Sequence, residues 1–412
     1  MSTRHHRSGT GHASRTKFWL RSALLTAAIS ACSTVASAAT ITVNSLLDDV
    51  FPDAAGAIPV PLTAPKCTLR MAIASANPDL PLGGADSIVF DAALANGTIL
   101  LDATQAMSAS SPSNILYISS PSTIDGRAAV SITLDGGSDV IATNKRILGI
   151  SESPAAGATL AGSSICVNLY SLNFQNARVE SAGACVLSFE NLSIFSANFT
   201  NCIATNTPTV AQAAGGALFM RAPDNAASAF RPDARLTRVY FKGNKALAGG
   251  STGNPGGGAF YLRSGSGRMG NVVLTDVAVG GPNAADQNYA DGGYSGGSII
   301  RAEYVSGGNS TFQGNVALNN QVGGLRIESM SGEGTATVFN SSFTANSANN
   351  GGALSITNNT ASPVILRNLI IDGNTRRGDS GLNLRGNRSI VLSNSSISDN
   401  VETTSQQRPT RV

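Results

Sequence analysis

A Phe-x-x-Asn quartet followed by a glycine pair recurs through the chain and limits what it can fold into more than any other feature. It reads FKGN at 241–244, FQGN at 312–315 and FTAN at 343–346, with IDGN at 371–374 and ISDN at 397–400 in the same slot. The asparagines Asn315, Asn346, Asn374 and Asn400 are spaced 31, 28 and 26 residues apart, and the glycine pairs or their equivalents end at Gly324, Gly352 and Gly381. A period of this size means a solenoid, a propeller or an array. Between the markers lie short strand patterns, ATVFNSSF at 336–343, ALSI at 353–356 and VILRNLII at 364–371. Two or three short strands per period suit a coil whose strands each stack on a counterpart one turn later. Propeller blades would need four strands and aromatic signatures, and a helical repeat would need a 3.6-residue period.

The expected fold is therefore all-β, a right-handed parallel β-helix solenoid. Phe241, Phe312 and Phe343, with Ile371 and Ile397, are expected to point inward and stack as a core row. The asparagines are expected at the following bend, where Asn tolerates left-handed backbone angles and bonds to the Asn above and below. Composition agrees: 44 glycines with 13% charged and 5% aromatic residues favour short strands joined by turns.

The two ends of the chain differ from this pattern. Residues 1–38 carry Arg4, Arg7, Arg15, Lys17 and Arg21, an apolar run over 23–29 and a small-residue site Ala36-Ser37-Ala38. They read as a secretory signal. Ile29-Ser30-Ala31-Cys32 also resembles a lipoprotein box, which makes lipidation of Cys32 the alternative. All three histidines (His5, His6, His12) and Trp19 fall in this segment, so a mature chain has no His base, no Ser-His-Asp triad and no His-ligated zinc. Its charge would be 23 basic against 25 acidic residues, about −2, with no bias toward nucleic acid. No later stretch reaches the ~20 apolar residues of a membrane helix.

Residues 39–85 are expected to form an N-terminal cap. TITVN at 40–44 alternates like a strand, and CTLRMAIASAN at 67–77 is an amphipathic helix with Leu69, Ala72, Ile73 and Ala76 on one face. Residues 86–400 are expected to form the solenoid, and 401–412 a polar tail without an obvious cap, so end-to-end self-association is a candidate property. Cys67, Cys166, Cys185 and Cys202 favour disulfides in an exported protein. Cys166 and Cys185 are 19 residues apart, close to a short turn of the repeat, and this pair is the one favoured.

ITVNSLLDDV, CTLRMAIASAN, GADSIVFD and STIDGR together resemble the N-terminal segment of bacterial exported β-helix proteins marked by Cys-Ser-Leu-Arg-Glu-Ala, here Cys67-Thr68-Leu69-Arg70-Met71-Ala72. The later repeats resemble those of polymorphic outer-membrane proteins and adhesin-like passengers. Met71 departs from the acidic residue of the motif, and a cysteine that many relatives carry before it is absent. The resemblance implies a secreted or surface-displayed, adhesin-like protein that binds glycans or cell surfaces without catalysis. A polysaccharide lyase or hydrolase on the same scaffold and a structural wall or matrix component are the rival readings.

For a site, Asp48-Asp49 is the only adjacent acidic pair and reads as a solvated loop. The stretch GGPNAADQNYADGGYSGG at 280–297 reads as a projecting insertion. It offers Asp286, Tyr289, Asp291 and Tyr294, with Arg301 on the next strand, for glycan contacts. No cofactor is expected; calcium on the two aspartates is the one candidate ion, although the spacing lacks the D-x-D-x-D-G pattern.

Overall fold

The computed structural model describes residues 39–49, 66–77, 85–102, 115–137, 145–151, 165–206, 214–222, 230–248, 256–264, 269–291, 295–318, 322–330, 334–349, 351–360, 362–376, 381–386 and 389–402. The signal segment, Cys32, Tyr294 and the tail beyond 402 lie outside them.

The chain forms a parallel β-helix. One coil shows its construction. Leu325–Met330 lies on a flat face, Thr335–Thr344 on a broad face bent in its middle, and Ser347–Ala348 on a narrow face. The chain then turns through Gly351-Gly352, and Leu354 pairs in parallel register with Leu325. Among the described residues every strand pairs in parallel with its own counterpart one coil later, apart from an isolated antiparallel bridge between Lys145 and Arg178. Among the described residues the flat and broad faces merge into one 25-stranded sheet, since Ser298–Gly308 runs through the corner between them, and the narrow face is a separate 8-stranded sheet.

Alternation along each strand sends every second side chain inward. On the broad face this builds the core row in register: Leu134, Phe174, Phe199, Phe241, Val279, Phe312, Phe343, Ile371 and Ile397. The rings of Phe174 and Phe199, Phe199 and Phe241, and Phe312 and Phe343 stack at 4.8, 4.9 and 4.9 Å. These separations match the ~4.8 Å between neighbouring strands. Phe241, Phe312 and Phe343 stack as expected, with Val279 interrupting between the first two. Ile397, on the last described coil, is 48% exposed.

The corner after this row carries the asparagines. Asn244, Asn288, Asn315, Asn346, Asn374 and Asn400 stand one above another. Asn315 Nδ2 donates to Asn346 Oδ1 (2.9 Å) and to the Val279 carbonyl (3.0 Å), while Asn315 Oδ1 accepts from Asn288 Nδ2 (3.0 Å). Asn346 repeats this with Asn374 and Phe312, and Asn374 with Asn400 and Phe343. The residue before every one of these asparagines except Asn288 has a left-handed backbone, as at Gly243 (φ +65°) and Gly314 (φ +66°), which explains the Gly-Asn dipeptides; Gln287, at the end of the extra turn before Asn288, is extended. In the glycine pair that follows, a Cβ on Gly258 would lie 2.6 Å from the Tyr289 nitrogen, so this corner passes too close to the narrow-face backbone for any other residue.

Cys202 occupies the asparagine slot below Asn244: its N–H donates to Asn244 Oδ1 at 3.0 Å. It is disulfide-bonded to Cys185, with Cα atoms 5.7 Å apart and both residues buried. This corrects the expected pairing of Cys166 with Cys185. Nineteen residues is less than a coil here, because Cys166 stands in register with Asn191, and Cys166 is on the outward side of the broad face while Cys185 and Cys202 point inward.

At the N-terminal end, Thr40–Val43 pairs with the first coil strand at Ser87–Phe90. The helix α1 (Leu69–Ala76) places Leu69, Ala72, Ile73 and Ala76 in the core. Thr68 caps it by accepting from the Met71 N–H, and its last turn docks through Ser120 Oγ to the Ala76 carbonyl (2.8 Å) and Asn77 Nδ2 to the Tyr117 carbonyl (2.7 Å). Arg70 is fully buried and donates through Nε and a terminal nitrogen to the two oxygens of Asp48, at 2.8 and 2.7 Å. Asp48 also accepts from the Asp102 N–H (2.8 Å). The expectation of a solvated acidic pair therefore fails for Asp48, which supplies the counter-charge that the buried Arg70 requires. Asp49 is exposed, beside Lys66.

Candidate functional site

Of the residues singled out at 286–301, Tyr294 lies outside the described residues, and the structure places Tyr289 on the narrow face and Arg301 on the flat face. Asp286 ends a short 3-10 turn, Ala284–Asp286, by which the chain takes a longer route from Val279 to Asn288. Its carboxylate accepts from Asn283 Nδ2 (2.9 Å) and lies 3.8 Å from Lys242 Nζ. Tyr289 belongs to the narrow face, in register between Lys245 and Val316, and burial followed by the charge on Asp291 pushes its hydroxyl pKa up. Asp291 accepts the Ala248 N–H from the coil below and donates its own N–H to the Ala246 carbonyl. These three residues join consecutive coils. Among the described residues, no three His, Cys, Asp or Glu side chains gather as a metal site.

Arg301 lies elsewhere, on the outward side of the flat face, and leads to a different cluster. Inward positions there are apolar, such as Leu218, Met220, Phe260 and Leu262. The outward positions between them run in register as Leu187, Phe219, Tyr261, Ile299 and Arg326. Outward residues of a solenoid are ordinarily solvated, yet Phe219, Tyr261 and Ile299 are 3%, 2% and 0% exposed. With Ala182 and Ala214 they make a second apolar cluster, separate from the core. Phe219 meets Tyr261 edge to face at 5.8 Å.

Two positions further along the same strands the side chains become cationic. Arg221 pairs in register with Arg263, and Arg301, one position past the Leu262–Ile300 pair, with Glu328. The guanidinium carbons of Arg263 and Arg301 lie 5.7 and 5.9 Å from the Tyr261 ring centroid. Glu328, 4% exposed, accepts from Arg301 Nε and is ion-paired with Arg326. Arg301 and Arg326 thus border the Glu328 carboxylate, and Arg263 and Arg301 the Tyr261 ring.

The environment perturbs these groups in consistent ways. Burial lowers the Arg221 pKa, and the like charge on Arg263 lowers it further. Burial raises the Tyr261 hydroxyl, against the opposing pull of Arg301 and Arg263. That hydroxyl is buried, with the Arg263 guanidinium over its ring. A phenol held protonated is a poor general base, and the strip's carboxylate is engaged by two arginines. The arrangement suits recognition of planar anions by guanidinium forks beside an apolar wall.

Sequence reading found Arg301 and missed its neighbours, because outward positions on this face repeat no residue type and only strand register brings them together. No protein-family model, curated protein or solved structure matches this chain.

Proposed function

We propose that this protein is an adhesin-like β-helix, secreted or displayed at the cell surface, that binds glycans or cell-surface components without transforming them. The observation that carries this reading is the flat-face strip, where Phe219, Tyr261 and Ile299 are buried in outward positions beside Arg221, Arg263, Arg301 and Arg326. Rigid coils that fix arginines in register beside a packed apolar layer support a recognition role. The signal-like start and the resemblance of Cys67-Thr68-Leu69-Arg70-Met71-Ala72 to the motif of exported β-helix proteins support export. Glycoside hydrolysis would call for a pair of carboxylates flanking the bond; the strip holds Glu328 between two arginines. No helix among the described residues is long and apolar enough to cross a membrane.

The test is incubation of protein purified after export with neutral and acidic polysaccharides, scoring retention together with new reducing ends and unsaturated products. Retention without new ends is the expected result. New ends that vanish in the Glu328→Gln or Tyr261→Phe variant would replace this reading with a lyase or hydrolase.

A further inference from the structure

We propose that the broad face carries a sugar-stacking step, in which Tyr240 receives one neutral sugar ring of a glycan beside the Lys242–Asp286 pair. The inference rests on the glycan-binding reading above; it adds a contact away from the flat-face strip and names the chemistry of the unit that fits it.

Among the described residues Tyr240 is the one exposed aromatic side chain, at 43%. It points outward from the broad face, in register with Asn198 on the coil below and Ala278 on the coil above. The outward rings Tyr170, Phe195 and Phe339 have neighbours that cover them. Tyr170 and Phe195 stack at 4.7 Å and 7°, and Phe339 closes over Gly308 on one side and has the Arg367 guanidinium on the other. Rings on this sheet thus turn their faces along the solenoid, toward the next coil, and above Tyr240 that coil drops in size. Ala278 offers a methyl, and Gly280, two positions on, offers no side chain. Past Gly280 the chain leaves the face in the turn that ends at Asp286, whose residues Pro282, Asn283, Ala284 and Ala285 are exposed. The Asp286 carbonyl accepts from the Gly243 N–H at 3.1 Å, which fixes the turn as a wall beside the step and leaves the Asp286 carboxylate 3.8 Å from Lys242 Nζ. Arg238 and Asp276, both exposed, stand at the opposite side, at the bend of the broad face.

These groups select a neutral sugar. A sugar ring carries polarised C–H groups on one face and hydroxyls around its rim. The C–H groups suit the negative face of an aromatic ring, and each hydroxyl both donates and accepts. The step offers one cation and one anion on each side, so donors and acceptors are both present and the four charges cancel. A polyanion would gain at Lys242 and Arg238 and lose at Asp286 and Asp276. Bases also stack on exposed rings, but their phosphate backbone would meet the same two acids. A polysaccharide that spans both faces of the solenoid is held by the step and the flat-face strip together, so losing either contact lowers its retention.

The experiment titrates short neutral oligosaccharides of glucose, galactose and mannose, polygalacturonate and a single-stranded oligonucleotide into the wild-type chain and the Tyr240→Ala, Tyr240→Phe and Ala278→Leu variants. All three substitutions fall at outward positions, and thermal unfolding confirms that each variant folds. At least one neutral oligosaccharide should bind, with an affinity indifferent to salt. Tyr240→Ala removes the ring and should weaken that binding about tenfold. Ala278→Leu keeps the ring and fills the step, and should weaken it as much; Tyr240→Phe, which keeps ring and step, should stay within about twofold of wild type. Equal binding of the neutral sugars by wild type, Tyr240→Ala and Ala278→Leu would overturn the inference, as would a dependence on Tyr240 shown only by polygalacturonate or the oligonucleotide. Retention of polysaccharides by a wild-type chain that binds no neutral oligosaccharide would overturn it while leaving the binding reading standing; retention of no glycan would end both.

Discussion

Two columns of identical side chains run along this solenoid, and they behave oppositely. At the corner after the broad face, Asn244 to Asn400 form an amide column; on the flat face, Arg221, Arg263 and Arg301 form a guanidinium column. An amide carries donors and an acceptor, so a stack of them satisfies itself, each Oδ1 taking protons from the residue below. A guanidinium carries donors and a charge only. Stacking it gains no hydrogen bond and adds repulsion; burial first, and then the charge on Arg263, lower the Arg221 pKa. The same parallel register thus joins the amides to one another and brings like charges together on the flat face.

The largest effect expected from breaking this contrast is in the amide column. In Asn346→Ala the buried N–H and Nδ2 of Asn315 lose their shared acceptor, and Phe312 O and Asn374 Oδ1 lose a donor. At about 1–3 kcal/mol per orphaned group, the loss is on the order of 4 kcal/mol, read by chemical denaturation. The foot of the column comes next. Cys202 stands in the asparagine slot and is tied to Cys185 across 17 residues, so the double Cys185→Ala, Cys202→Ala variant should lose roughly 3 kcal/mol. Removing Cys166 alone should leave the Cys185–Cys202 bond intact by peptide mapping.

On the flat face the effect moves from stability to titration. The hydroxyl of Tyr261 is raised by burial and pulled down by Arg301 and Arg263. A folded pKa above the unfolded value gives stability that is present below the ordinary tyrosine range and lost as pH rises through the folded value. Arg263→Gln removes one of the opposing charges, so the slow, buried tyrosine step in an alkaline absorbance titration should shift further upward. Tyr117, pushed up to about 12 by burial and remote from the strip in sequence, serves as the unshifted reference. The smallest change is in stability itself: Arg263→Gln should stay within about 0.5 kcal/mol of wild type.

The same contrast decides what the sequence could reveal. The amide column and its phenylalanines are written as a repeat, because an inward slot and a tight corner accept the same residue on every coil. Where the repeat is broken the reading loses the thread. Val279 and Asn288 belong to the two columns, yet the turn through Ala284–Asp286 separates them and disguises that coil as a projecting loop. Cys202 follows Phe199 by the same three-residue step and passed for a plain cysteine. Long-range pairing is less legible still: Asp48 and Arg70 are 22 residues apart, and only the fold shows that the arginine of the Cys-Thr-Leu-Arg motif needs that buried carboxylate. The flat-face strip is the extreme case. Its outward positions read Leu, Phe, Tyr, Ile, Arg, with no recurring type, and Arg301 gains its neighbours only through register.

The decisive measurement is a paired one: unfolding free energy and glycan retention on Asn346→Ala and Arg263→Gln side by side. The expected result is a crossed pattern, with Asn346→Ala losing on the order of 4 kcal/mol of stability at unchanged retention by the folded protein, and Arg263→Gln losing retention at nearly unchanged stability. An Arg263→Gln variant as destabilised as Asn346→Ala, with wild-type retention of the glycans, would show that the arginine row is architecture as well and that the ligand binds elsewhere.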